Sequence, residues 1–272
     1  MTQATAAPTR RERQRQATFD EIVEVSRRLL REGQDVSVRA VASEMGLTPP
    51  ALYRYVDSHS ELMALTARSV FADVVAAMTR ARDAQSADDP AGQIVAASAA
   101  FRAWALGNRE EFQLVFASAS TSDVDPAADP THTAADPEPS ITSLDGCLPS
   151  GTGVDQFGAF FSEIFGRLWG RYRFTLPSDD ELDPEVLQVL TMQIKPDAVI
   201  EGFGAVTPGM IWVFERAWAQ LYGTVTLEVF GHVHPAFISS GALFRAAMRD
   251  IGRQLGLEPE WDRLQEVARS LG

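Results

Sequence analysis

The chain has 272 residues and a formal net charge of −13, with 37 acidic against 24 basic side chains. That length exceeds one small helical module and leaves room for a second domain with its own core. So acidic a total excludes nucleic-acid binding over the whole surface and confines any such contact to a local basic face. Residues 1–56 are that face, holding nine arginines and seven carboxylates, a net of +2 that leaves −15 on the remainder. The lone Cys147 excludes an internal disulfide and lies in a loop. With no secretory segment and no apolar run of roughly 18 residues, the expectation is a cytoplasmic protein without a membrane partner.

Residues 1–9 read as a disordered tail. Thr9 to Arg15, TRRERQR, sets Arg10, Arg11, Arg13 and Arg15 against Glu12 alone, just ahead of the first long helix. Beside a reading helix this run suits phosphate contact, and a solvated charge run is the alternative. Phe19, Ile22, Val23, Val25, Leu29 and Leu30 give that helix its apolar face. Residues 38–56, VRAVASEMGLTPPALYRYV, form a helix-turn-helix pattern. Ser37 is placed to cap the first helix, Val38, Val41, Ala42 and Met45 recur at helical spacing, and Gly46 stops it. Thr48 is placed to cap the second, Pro49 and Pro50 suit its first turn, and it is expected to run to about Val56. Leu52 and Val56 point inward. That leaves Thr48, Pro50, Ala51, Tyr53, Arg54 and Tyr55 outward, where arginine can pair with guanine, threonine and alanine can meet a thymine methyl, and tyrosine can reach phosphate. With Arg10, Arg11, Arg13, Ser37, Arg39 and His59 they are the candidate DNA contacts.

Beyond this unit the pattern is helix after helix, so the fold class is all-α. Helices are expected from Ser58 or Ser60 to Asp83, from Asp88 to Gly107, and from Asn108 to about Ala119 with Asn108 as cap. Residues 119–153, rich in Asp, Pro, Ser, Thr and Ala, read as a disordered insertion, with a flap over a ligand pocket as the alternative. Further helices are expected at Val154 to Phe174, Pro208 to His232, Phe237 to Leu255 and Pro259 to Leu271. The aromatic side chains Phe157, Phe161, Phe165 and Trp169, with Phe101, Trp104, Phe112 and Phe116, are candidates to line a pocket for an apolar or aromatic ligand; ordinary core is the alternative. His232 and His234 have a metal-like spacing, but no Cys or acidic partner stands nearby, so no metal, cofactor or catalytic residue is assigned. Hydrolase, metalloprotease, phosphate-loop and dinucleotide motifs are absent from the sequence, and an enzyme is not expected.

Residues 10–71 resemble the DNA-binding domain of the TetR family of bacterial transcription regulators: Leu52-Tyr53-Arg54-Tyr55-Val56 is similar to the family's LYxYF pattern, and Asp57 to Leu62 to its loop and fourth-helix start. Pro208 to His232, with Trp212, Trp218, Gly223, Leu227 and Phe230, resembles the penultimate helix of a subgroup ending in an FGH-like motif. The resemblance implies an N-terminal three-helix reader at 10–71 and a helical effector-binding and dimerisation domain at 72–272. It further implies a homodimer bound to double-stranded operator DNA, probing successive major grooves about 34 Å apart, and repression relieved by an unidentified small-molecule effector. Trp212, Ala219, Gly223, Leu227, Phe230, Phe244 and Met248 would form the dimer interface. His59 stands where the family usually places a phosphate-binding lysine. The competing readings are an activator of the same family, or a helical small-molecule binding protein with a vestigial reader.

Overall fold

The computed structural model of the chain describes residues 9–117, 154–194, 199–200 and 204–270. In order these form α1 (Arg10–Arg31), α2 (Val38–Glu44), α3 (Pro49–Leu52), α4 (His59–Asp83), α5 (Pro90–Gly107), α6 (Arg109–Phe112), α7 (Val154–Tyr172), α8 (Pro184–Gln193), β1 (Val199–Ile200), β2 (Gly204–Ala205), α9 (Pro208–Val229), α10 (Pro235–Ser240), α11 (Ala242–Gln254) and α12 (Trp261–Ser270). Residues 1–8 of the tail expected at 1–9, the insertion at 119–153 and Cys147 lie outside the described residues, and Thr9 is the N-cap of α1.

Helix α1 begins earlier than the charge pattern suggested. Thr9 and Glu12 form a reciprocal capping box, with the Thr9 N–H donating to Glu12 Oε2 at 2.6 Å and the Glu12 N–H to Thr9 Oγ1 at 3.2 Å. The Thr9 backbone and hydroxyl hold the Glu12 carboxyl below its usual range. Arg10 to Arg15 are therefore the first turns of the helix and not an arm ahead of it.

The turn between α2 and α3 follows from local chemistry. Ser37 Oγ accepts the Ala40 N–H at 3.2 Å and opens α2. Gly46, at φ +65°, closes it in a Schellman arrangement: the Gly46 N–H reaches Ser43 O at 3.1 Å and the Leu47 N–H reaches Ala42 O at 2.8 Å. A side chain would strain at that φ. Thr48 has cap geometry but makes no capping side-chain hydrogen bond; the Ala51 N–H, at the position that donates to the caps of α2 and α4, reaches the Thr48 backbone carbonyl at 2.9 Å instead. Helix α3 proper spans only Pro49–Leu52, shorter than the expected run to Val56. It continues as tight turns, in which the Tyr55 and Val56 N–H groups both reach Leu52 O, at 2.8 and 3.2 Å. Leu52 and Val56 are fully buried with Ile22, Leu29, Val38, Val41 and Leu62 in a small core, and burying each stabilises by about 1.5–3 kcal/mol.

The larger core takes over on α4 at Val70 and runs through α5, α7, α9, α11 and α12. Ser58 Oγ caps α4 by accepting the Glu61 N–H, and the helix supplies Leu62 to the first core and Val70, Phe71, Val74 and Met78 to the second. By length and mean hydropathy α4 could cross a membrane, contrary to the sequence expectation. Its apolar side chains instead pack within the two cores, and Asp73 in its middle is ion-paired. Helix α5 starts at Pro90 with Asp89 as cap. Asn108 does not cap α6: its Nδ2 donates back to Trp104 O at 2.8 Å, and the expected long helix is a single turn followed by a π-helical turn over Gln113–Ala117.

Two more departures lie near the C-terminus. The helix expected over Phe237 to Leu255 is broken at Gly241, whose left-handed backbone, φ +62°, separates α10 from α11. In the segment before α9, β1 and β2 pair antiparallel, Val199 opposite Ala205 and Ile200 opposite Gly204, where sequence reading placed no strand.

Candidate nucleic-acid interface and ligand cavity

One end of the molecule gathers the candidate reading residues. With Leu52 and Val56 anchored inside, Tyr53 stands 51% exposed at the tip of α3, and Thr48, Pro50 and Arg54 are exposed around it, with Ala51 half-buried. A cleft of about 430 Å³, lined by Arg11, Glu12, Gln14, Arg15, Arg54 and Tyr55, joins this tip to the first turns of α1. Arg10, Arg11, Arg13, Arg39 and Arg54 are all exposed and, among the described residues, have no carboxylate partner. Farther along α1, Arg27, Arg28 and Arg31 are all ion-paired. Guanidinium groups left without partners beside an exposed tyrosine can meet a polyphosphate backbone while adjacent side chains meet base edges.

Three proposed contacts are also engaged internally. Tyr55 is half-buried, its ring edge-on to Phe19 at 5.6 Å and 85°, which fixes the α1–α3 angle. The Ser37 oxygen accepts the α2 cap bond and keeps its proton for another acceptor. The His59 ring lies 2.8 Å, through Nε2, from the Val36 carbonyl. It donates there, tying the start of α4 to the α1–α2 loop, so a neutral His59 has no proton left for a phosphate.

The reader is fastened to the helices behind it by a buried ion network. Arg27 on α1 donates through Nε and Nη2 to the two oxygens of Glu111 on α6, at 2.8 and 3.0 Å, and through Nη2 to Asp73 on α4 at 2.9 Å. Arg31 adds a bond to Glu111 at 3.4 Å. Glu111 is fully buried, and its hydrogen bonds are the largest influence holding the Arg27 guanidinium above its usual range. Nothing in the sequence flagged these residues, which stand 84 positions apart.

The aromatic residues proposed for a ligand wall separate into two groups. Phe101 and Phe112 are fully buried and, with Phe116, fill one another's space at centroid distances of 4.8 to 6.2 Å. Phe71 and Tyr222 pack against Phe116, and Tyr222 also donates to Phe116 O at 2.8 Å. These rings pack against one another as core. Trp104 is buried, and its indole N–H has no hydrogen-bond partner among the described residues; Trp169 packs edge-on to Phe174 under Arg173. Neither lines the apolar cavity, and the Phe157 side chain lies outside the described residues. Phe161 and Phe165 do line a cavity of about 40 Å³ between α5, α7, α9 and α11, almost wholly apolar. Its other walls include Ile94, Phe214, Trp218, Met248 and Trp261, none of them foreseen as ligand contacts. Helix spacing alone does not tell which face of α9 or α11 turns inward.

The proposed interface residues also divide. On α9, Trp212 and Gly223 are half-buried, Ala219 is exposed and Leu227 is 43% exposed; with the C-cap Phe230, 36% exposed, they form one stripe. Phe244 and Met248 on α11 are buried at 3% each. Phe244 carries Arg102 over its ring and Met248 lines the apolar cavity, so neither is available to a partner. The break at Gly241 resets the helix phase, and Ala246, Asp250 and Arg253 take the outward positions. His234, with its imidazole Nδ1 accepting the Ala236 N–H at 3.2 Å, caps α10.

Residues 94–251 match the family model described as tetracyclin repressor-like, C-terminal domain. Among curated proteins the chain is 28% identical over 232 residues to the HTH-type transcriptional regulator Mb1846 of Mycobacterium bovis and, to the same extent, to Rv1816 of Mycobacterium tuberculosis. Each match covers 84% of this chain and 88% of the relative. Among solved structures, the protein SCO4313 shares the fold with a TM-score of 0.54 at 19% identity, over 89% of this chain and 98% of that one.

Proposed function

The chain belongs to the TetR family and is a DNA-binding transcriptional regulator; from this premise we propose that it is a homodimeric repressor released from its operator by a small apolar or aromatic ligand. The observation that carries the DNA-binding geometry is the exposed tip of Thr48, Ala51, Tyr53 and Arg54 beside arginines without carboxylate partners. Two copies joined along the α9 stripe and the outward face of α11 present two such tips to successive major grooves of a pseudo-palindrome. Acting on DNA, the protein works in the cytoplasm.

The effector enters the apolar cavity between α5, α7, α9 and α11. At about 40 Å³ this cavity is well below the roughly 150 Å³ that holds a benzene ring, so the effector binds a wider state in which Phe161, Trp218 and Met248 have moved apart. Helix α5, which carries Ile94 and Val95 on the cavity wall, leads directly into α6, where Glu111 grips Arg27 of the reader. Widening the cavity thus displaces α6 and, through the ion network, the reader. An effector that favours the wide state lowers DNA affinity, and reciprocity requires operator DNA to weaken effector binding by the same factor.

Titration of a labelled operator with Tyr53→Ala and Arg54→Ala, followed by fluorescence anisotropy, tests the reading surface. Both variants lose specific binding while eluting as the wild-type dimer. Retained affinity, or loss of the dimer in these variants, contradicts the assignment.

A further inference from the structure

A second cavity, of about 200 Å³ and predominantly polar, lies between α5, α10, α11 and α12 and shares no lining residue with the apolar one. Arg102, Arg245, Arg269, Ser239, Ser240 and Gly241 line it. Arg102 is only 5% exposed. Its Nε donates to Glu228 Oε2 at 2.6 Å, its Nη2 donates to Ile238 O at 2.6 Å, and its guanidinium lies 5.4 Å from the Phe244 ring centre. These contacts fix the guanidinium plane and leave Nη1, which makes no hydrogen bond among the described residues, with both protons unused.

Gly241 shows where that nitrogen points. A point one Cβ length out from its backbone lies 3.1 Å from Arg245 Nη1 and 3.5 Å from Arg102 Nη1. Two guanidinium groups from different helices therefore converge on one small space, kept open by a residue that has no side chain. Arg245 bonds the Ser240 carbonyl at 2.5 Å but has no carboxylate partner among the described residues. Glu228 pairs with Arg102 through Oε2, its Oε1 having no hydrogen-bond partner among the described residues, and Glu266 pairs with Arg269. The Ser239 and Ser240 hydroxyls donate to the Ala236 carbonyl, at 3.4 and 2.6 Å, and contribute shape rather than protons. With Arg102 and Arg269 already ion-paired, Arg245 brings the uncompensated charge of these three arginines, and converging guanidinium N–H groups suit the oxygens of a carboxylate or phosphate.

We propose that this cavity is a binding site for a small oxyanion, the phosphoryl or carboxylate group of a metabolite, held above Gly241 between Arg102 and Arg245 with Arg269 at its edge. Such a ligand ties together α5, α10, α11 and α12 without entering the apolar cavity. It is a second ligand class for this protein, independent of the apolar effector.

Calorimetric titration of the full chain, in a phosphate-free buffer at fixed ionic strength, tests the site with orthophosphate and separately with succinate. Saturable binding of one anion per chain is expected for at least one of them; binding of only phosphate assigns a phosphoryl ligand, and binding of only succinate a carboxylate. Arg245→Gln weakens that binding by at least about tenfold, the loss of one charge-assisted contact. Arg249→Gln, which removes the same charge from an exposed position of α11 outside the cavity, leaves it within about twofold. Arg245 is chosen because Arg102 also holds the buried Glu228, and far-UV circular dichroism confirms that both variants are folded. No saturable binding of either anion into the millimolar range, or equal weakening by the two substitutions, overturns the proposal.

Discussion

Replacing Glu111 by glutamine removes the charge at the centre of the network that joins the reader to the remaining helices. Glu111 is fully buried and receives three hydrogen bonds, from Arg27 at 2.8 and 3.0 Å and from Arg31 at 3.4 Å. Removing one partner of a buried ion pair typically destabilises by about 3–5 kcal/mol. Here Asp73, 46% exposed, still holds Arg27 at 2.9 Å, and the glutamine carbonyl keeps one acceptor. The loss is therefore about 2–3 kcal/mol, or a fall in melting temperature of about 5–10 °C for a chain of this size. Urea unfolding of Glu111→Gln measures it. A double-mutant cycle with Arg27→Met and Glu111→Leu separates the pair from general packing and is expected to show a coupling of about 2 kcal/mol. A loss below about 0.5 kcal/mol, the scale of an ordinary surface substitution, or additive single substitutions, would refute the claim that this network fastens the reader.

The other predictions concern the DNA face, the dimer face and one tyrosine. Changing Arg10, Arg11 and Arg13 together to glutamine reduces the slope of log affinity against log salt by about 0.9 for each arginine that meets a phosphate; an unchanged slope excludes the first turns of α1 from the DNA. Leu227→Glu combined with Ala219→Arg places charge on the exposed α9 stripe and converts the proposed dimer to a folded monomer in sedimentation, whereas a dimer that survives moves the interface elsewhere. Burial, followed by the bond to Glu260 at 2.8 Å, pushes Tyr172 up to about 12. Because this folded value exceeds the ordinary tyrosine value near 10, its stabilising contribution is full below about pH 10 and is lost as the pH rises through about 12. An alkaline absorbance titration shows this late step, and Tyr172→Phe removes it; an unaltered titration would contradict the assignment.

The parts legible in sequence were those written in neighbouring residues. Ser37, Gly46 and the Pro49–Pro50 pair each act within one turn of chain, so the helix-turn-helix could be read from them directly. The same kind of signal, Thr9 with Glu12, was present and overlooked, which put the basic residues ahead of α1 instead of inside it. The break at Gly241 was a local signal too, and missing it rotated the assumed outward face of α11 onto Phe244 and Met248, which are core. The remainder depends on partners distant in the chain. Spacing alone does not distinguish Phe101, Phe112 and Phe116 as a pocket wall from rings that pack on one another, as they do here, and Arg27 meets Glu111 only because α6 returns to α1. Trp218 and Phe214 face the cavity by the rotation of α9, which packing against α5 and α11 decides.

Footprinting of the purified protein on the DNA upstream of its own gene and its neighbours, at near-physiological salt, tests the central claim most directly. The account predicts a protected pseudo-palindrome whose half-sites are one helical turn, or a multiple of it, apart. Binding that is salt-sensitive but leaves no footprint would contradict it, reducing the exposed arginines to a non-specific patch and the recognition element to a vestige.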